Sequence, residues 1–128
     1  MKKIIFYSYL KCSTCIKAVK WLKSKDFEFQ LIDIVEEPPL VNYLNQALEQ
    51  YSDDKKRIFN TRGKAFKNLN PDIYNLSREE IVQLLLSDGK LIKRPFLIFG
   101  EKIILGFNEA EYSNTYFEFI VIWSQKTL

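Results

Sequence analysis

The chain has 128 residues, 47% of them hydrophobic and 27% charged, with a net charge of +3. That is the material of one domain with a real core. The charge is too small to argue for a direct nucleic-acid partner, and no apolar run reaches the length of a membrane span. Histidine is absent, which removes the commonest general base and metal ligand, so thiols, carboxylates, lysine, arginine or backbone must carry any chemistry.

In chain order, Met1-Lys2-Lys3 followed by apolar residues superficially resembles a signal peptide. Lys11 interrupts the apolar stretch and no small-residue cleavage site follows, so a cytoplasmic protein is expected. Residues 2–9 predict a strand. From Ser13 to Lys25 the spacing of Cys15, Val19 and Leu22 predicts a helix, with Lys17, Lys20 and Lys23 on a solvated face. Residues 27–34 predict a second strand, parallel to the first across a right-handed helical crossover. Glu37-Pro38-Pro39 punctuates the chain, and Pro39 suits the first turn of a helix whose stripe is Leu40, Tyr43, Leu44, Ala47 and Leu48. Residues 52–59 read as a short helix capped by Ser52 or Asp53, ended by Asn60-Thr61-Arg62-Gly63. A brief helix over Lys64 to Leu69 stops before Asn70-Pro71. Ser77 and Glu80 form a capping-box pattern that opens a helix through Leu86, closed by Asp88-Gly89. Phe96 to Phe99 and Lys102 to Leu105 are hairpin strands around Gly100-Glu101. Asn108, with Glu111 three residues on, caps a last helix. Phe117 to Trp123 is strongly apolar and reads as the end of that helix, an added strand or a partner-binding tail.

Both cysteines lie in Cys12-Ser13-Thr14-Cys15, between the first strand and the first helix. There the free N–H groups and dipole of the helix N-terminus favour a thiolate. Three readings compete. The pair is a thioredoxin-like redox motif, or two buried core cysteines, or half of a zinc site. Zinc usually needs four ligands, and the chain holds two cysteines and no histidine. The redox reading makes Cys12 the exposed nucleophile and Cys15, one turn inside, the resolving thiol. Lys11 and Tyr9 flank the pair, as added positive potential and as a shield for the thiolate. The order β-α-β, helical insertion, β-hairpin, helix predicts an α/β thioredoxin-like fold, a mixed sheet of about four strands.

These motifs, taken together and in order, resemble the arsenate reductase (ArsC)/Spx family. The resemblance rests on Cys12-Ser13-Thr14-Cys15, Glu37-Pro38-Pro39, Phe59-Asn60-Thr61-Arg62, Leu84-Leu85-Leu86-Ser87-Asp88-Gly89, Leu91-Ile92-Lys93-Arg94-Pro95 and Gly106-Phe107-Asn108-Glu109. It spans roughly residues 3–116, implying one domain over 1–116 and an apolar extension over 117–128. It implies a catalytic Cys12 and substrate or partner contacts at Arg62, Arg94 and Pro95, with Pro95 cis and facing the cysteines. It implies no bound cofactor, only an external thiol reductant such as glutathione, glutaredoxin or thioredoxin. In the arsenate reductases a third arginine completes the oxyanion site, and Phe107 stands in its place here. The Spx regulators share the C-x-x-C and bind the RNA polymerase α-subunit. Asp54 stands near the position where they carry a glycine for that contact.

Overall fold

A computed structural model describes residues 4–69 and 72–127; the side chains of 119 and 121–127 lie outside that description. Lys2, Lys3, Asn70 and Pro71, on which parts of the sequence reading fall, lie outside it too.

The first strand, β1 (Ile4–Ser8), is buried along its whole length. It pairs in parallel with β2 (Gln30–Asp33) and antiparallel with β3 (Phe96–Phe99), which pairs antiparallel with β4 (Lys102–Leu105). The sheet order is β2-β1-β3-β4, the mixed four-strand sheet that the element order predicts. A strand with apolar residues on both faces needs cover on both. On one side Ile5, Tyr7, Phe96, Ile98 and Ile103 pack with Leu44 and Leu48 of α2 (Val41–Gln50) and Ile81 and Leu85 of α4 (Arg78–Ser87). On the other, Ile4, Phe6, Leu97, Phe99 and Ile104 meet Ala18, Trp21 and Leu22 of α1 (Ser13–Ser24) and Tyr112 of α5 (Glu109–Thr127).

Several local expectations shift by a residue or a role. β2 is shorter than its predicted run of 27–34 and β1 ends at Ser8, one residue early, while β3 and β4 have the predicted bounds. The buried stripe of α1 is Cys15, Ala18, Trp21 and Leu22, with Val19 only partly buried. Leu40 is the N-cap of α2, so Pro39 lies just before the helix and not in its first turn. The 52–59 region forms only a 3-10 turn, Lys55–Ile58, capped by Asp54 and not by Ser52 or Asp53. The short helix α3 (Lys64–Leu69) and the reciprocal Ser77–Glu80 capping box are where the sequence puts them. Asn108 accepts a hydrogen bond from the Glu111 N–H at 3.0 Å. The apolar stretch from Phe117 continues α5 and forms no added strand.

Gly89 does not close α4 in a left-handed cap. The C-cap is Asp88, with φ −158°, and Gly89 opens a further 3-10 turn, Gly89–Leu91. It is glycine for want of space. A Cβ there would stand 2.1 Å from the Ile34 carbonyl oxygen and 2.8 Å from the Val35 Cα.

Helix α2 also closes the outer edge of β4 with side chains. The Gln50 amide both donates to the Ile103 carbonyl and accepts from the Ile103 N–H at 2.9 Å. The Tyr51 hydroxyl donates to the same carbonyl at 3.0 Å, and Gln46 donates to the Glu101 carbonyl. No helix among the described residues is long and apolar enough to cross a membrane.

Candidate functional site at the start of the first helix

Cys12 is the N-cap of α1, with extended backbone (φ −97°, ψ 112°). Its Sγ occupies the place usually held by a serine or aspartate oxygen and accepts from the Cys15 N–H at 3.3 Å. The tight turn is set by the Cys12 N–H donating to the Tyr9 carbonyl at 3.0 Å. Both thiols are free; Cys12 is half-buried and Cys15 buried.

The two sulfurs differ in acidity. Partial burial of Cys12 opposes ionisation, but the Cys15 thiol, the Cys15 and Thr14 N–H groups and the Arg94 charge outweigh it and hold its pKa below the ordinary thiol value. Burial pushes the Cys15 thiol up, and the hydrogen bond with Cys12 adds to this, to a pKa of about 12. Of the two, the half-buried Cys12 sulfur is the more readily ionised and the buried Cys15 sulfur the more firmly protonated.

Arg94 is the charged member that the structure brings to the cysteines. Its guanidinium lies over the Tyr9 ring, 4.9 Å from the centroid, and donates to the Lys90 carbonyl at 3.2 Å. Tyr9 thus holds the arginine, a more definite task than shielding. Lys11, the other cation considered, is exposed. The Arg94–Pro95 peptide is cis, as the resemblance implies, and Pro95 is buried with its carbonyl accepting from the Gly106 N–H at 2.8 Å. Arg62 is exposed, on the turn after Phe59. That turn is tied to the approach to Arg94 by the Phe59–Ile92 bridge, with the Lys93 N–H donating to the Ile58 carbonyl at 2.8 Å. The roles of Tyr9 and Lys90 escaped the sequence reading. The signal for Tyr9 was an aromatic residue three before the first cysteine; a carbonyl acceptor such as that of Lys90 leaves no trace in side-chain type.

The Arg94 charge has a measurable consequence. Alkylation of Cys12 should reach half its plateau rate below the ordinary thiol pKa, roughly 8.5. In Arg94→Gln the favourable charge is gone, the profile moves to higher pH, and less thiolate is present at neutral pH. The rate there falls while the alkaline plateau is unchanged. Iodoacetamide kinetics across pH, read by intact mass, check this; superimposable profiles would remove Arg94 from the site.

The ArsC family model matches residues 7–115. The chain belongs to the ArsC family. It is 41% identical over 115 residues to the uncharacterised protein YusI of Bacillus subtilis (strain 168), covering 88% of this chain and 98% of that one. It is 33% identical over 108 residues to the global transcriptional regulator Spx of Lactiplantibacillus plantarum, covering 84% and 82%. Among solved structures, a possible arsenate reductase from Streptococcus mutans superposes with a TM-score of 0.77 at 36% identity, covering 84% of this chain and 93% of that one. The fold is the thioredoxin-like α/β arrangement of these ArsC-family relatives, and the C-x-x-C, Arg94 and Pro95 all fall within the matched span.

Proposed function

We propose that this ArsC-family chain is a thiol–disulfide oxidoreductase in which Cys12 attacks and Cys15 resolves. The observation that supports it is the unequal pair of thiols, a more acidic Sγ capping α1 and a less acidic one buried beside it. The Cys12 thiolate attacks one sulfur of a substrate disulfide, forming a mixed disulfide and releasing the other half as thiolate. Cys15 then loses its proton and attacks the Cys12 sulfur, forming the Cys12–Cys15 disulfide and releasing the second half. Two electrons from an external thiol, glutathione or a glutaredoxin- or thioredoxin-type protein, restore the dithiol. Arg94, Pro95 and Arg62 are the contacts proposed for substrate or partner. Arsenate itself is a poorer fit, because Phe107 supplies no cation where the arsenate reductases carry an arginine. The cytoplasm is the compartment where such a pair cycles.

Equilibration in glutathione buffers of set ratio, followed by alkylation and intact-mass analysis, tests this. An intramolecular disulfide with a potential of roughly −220 to −320 mV is expected, within the cytosolic range. Failure to form it under any ratio would end the resolving role of Cys15.

A second reading, a redox-sensing regulator that binds the RNA polymerase α-subunit, is favoured by the likeness to Spx. Here the disulfide changes affinity for the partner and no turnover is needed. Capture of purified α-subunit by one redox form alone would favour it, and equal failure of both forms would sink it.

A further inference from the structure

A cavity of about 380 Å³ has the cations Lys56, Arg57 and Lys93 and the polar Thr61 in its wall. Three cationic residues lining one concavity raise its positive potential and favour an anion there. The protein supplies one carboxylate against the three cations. It is that of Asp54, which accepts from the Lys56 N–H at 3.1 Å and from the Tyr74 hydroxyl at 3.2 Å. Among the described residues the ion pair found within 4.0 Å is Arg78 with Glu49, neither of which lines the cavity. The three cations of the cavity have no such partner.

Two of them are nevertheless braced on aromatic rings. Arg57 stacks on Tyr51 at 4.5 Å, and stacking occupies the face of the guanidinium while leaving its in-plane N–H fork for a ligand. Lys56 lies over Tyr74 at 5.7 Å. Lys93 runs past Gly106, where an added Cβ would come within 3.3 Å of its Cε, so the glycine leaves the lysine stem its path. Holding long cationic side chains in advance removes part of the entropy cost of binding.

We propose that this cavity binds a phosphoryl dianion, either inorganic phosphate or the phosphate of a small organic ester. A lone carboxylate would satisfy one arginine fork; a tetrahedral anion offers oxygens to two lysines, the fork and a hydroxyl at once. Phe59 and Leu105 add an apolar wall. The volume falls within the range of small-molecule pockets, roughly 300–1,000 Å³, more than a bare oxyanion fills. Neither cysteine is among the lining residues, and the proposal does not rest on the redox reading.

Calorimetric titration of the full chain with inorganic phosphate and with phenyl phosphate tests the proposal. Saturable binding is expected that weakens as salt is raised. Arg57→Gln and Lys93→Gln should each lower affinity by about tenfold or more, while Lys17→Gln, an equal loss of charge on the exposed face of α1, leaves it unchanged. Arg57→Lys, which keeps the charge and loses the fork, should fall between. Tighter binding of phenyl phosphate assigns the site to an organic ester, and equal binding to free phosphate. No saturable binding of either probe, or affinities unaltered in both glutamine variants, overturns the proposal. Circular dichroism establishes that each variant is folded; should Arg57→Gln fail to fold through loss of its packing on Tyr51, Lys93→Gln decides.

Discussion

Cys12→Ser should lose turnover of a disulfide substrate by about 10³-fold or more, because a serine hydroxyl at neutral pH has no comparable ionised fraction to attack with. Cys15→Ser should behave differently. Its Cys12 still attacks, but nothing inside the protein attacks the resulting mixed disulfide. The variant should complete one half-reaction and accumulate a stoichiometric adduct, visible as an added mass that reductant removes. The backbone N–H of residue 15 that Cys12 accepts from survives this change, and the serine hydroxyl is itself a donor, so Cys12 should keep its lowered pKa. Undiminished turnover in Cys12→Ser would show that the catalytic sulfur is misassigned. Undiminished multiple turnover in Cys15→Ser would show that an external thiol resolves the adduct directly.

Gly89→Ala should cost about 3 kcal/mol of folding stability, at the upper end of what an overpacked methyl group usually costs. The new Cβ would lie 2.1 Å from the Ile34 carbonyl oxygen, and backbone on both sides must move to make room. Ile34 is fully buried, so the displacement spreads into the face of the sheet that α2 and α4 cover. Gly63→Ala provides the contrast. Its nearest neighbour, at 2.6 Å, is the Asn60 side-chain amide, which can swing aside. Urea unfolding of both variants checks the pair, and a Gly89→Ala midpoint equal to that of the parent chain would mean that the approach of the two segments is looser than described.

The contrast between Gly89 and Ser77 shows which parts of the fold a sequence can announce. Ser77 and Glu80 cap a helix through contacts made within four residues, so residue type and spacing carry the message. Gly89 serves a contact with Ile34 and Val35, more than fifty positions away, and local pattern can only suggest the commoner use of glycine as a helix stop. The same distinction holds in the site. The position of Cys12 at the start of α1 follows from strand, turn and helix signals in a dozen residues. That Arg94 reaches it, braced on Tyr9, depends on β3 lying against β1, which only the family resemblance anticipated. Arg62, from the same resemblance, is exposed on a turn whose neighbour Phe59 bridges to Ile92, two residues before Arg94. The one-residue shifts at Pro39 and Asp54 belong to caps whose rivals stand side by side in the chain. The cationic cavity drew no notice because Lys56, Arg57 and Lys93 come from two separate segments and each reads alone as ordinary surface charge.

The closure of β4 by α2 makes the two borders of the sheet chemically unlike. An open strand border is a ladder of donors and acceptors that a neighbouring chain can dock onto, and such docking is how sheets grow between molecules. Along β4 both polar groups of Ile103 are already engaged by Gln50, and Tyr51 doubles the hold on its carbonyl. A glutamine side chain here does the work of an absent fifth strand, offering one N–H and one C=O as a backbone residue would. Any intermolecular zippering at this border must first evict that amide. At the opposite border β2 carries exposed Gln30 and Leu31, so strand-to-strand association, if it occurs, has a polarity built in by a single amide side chain.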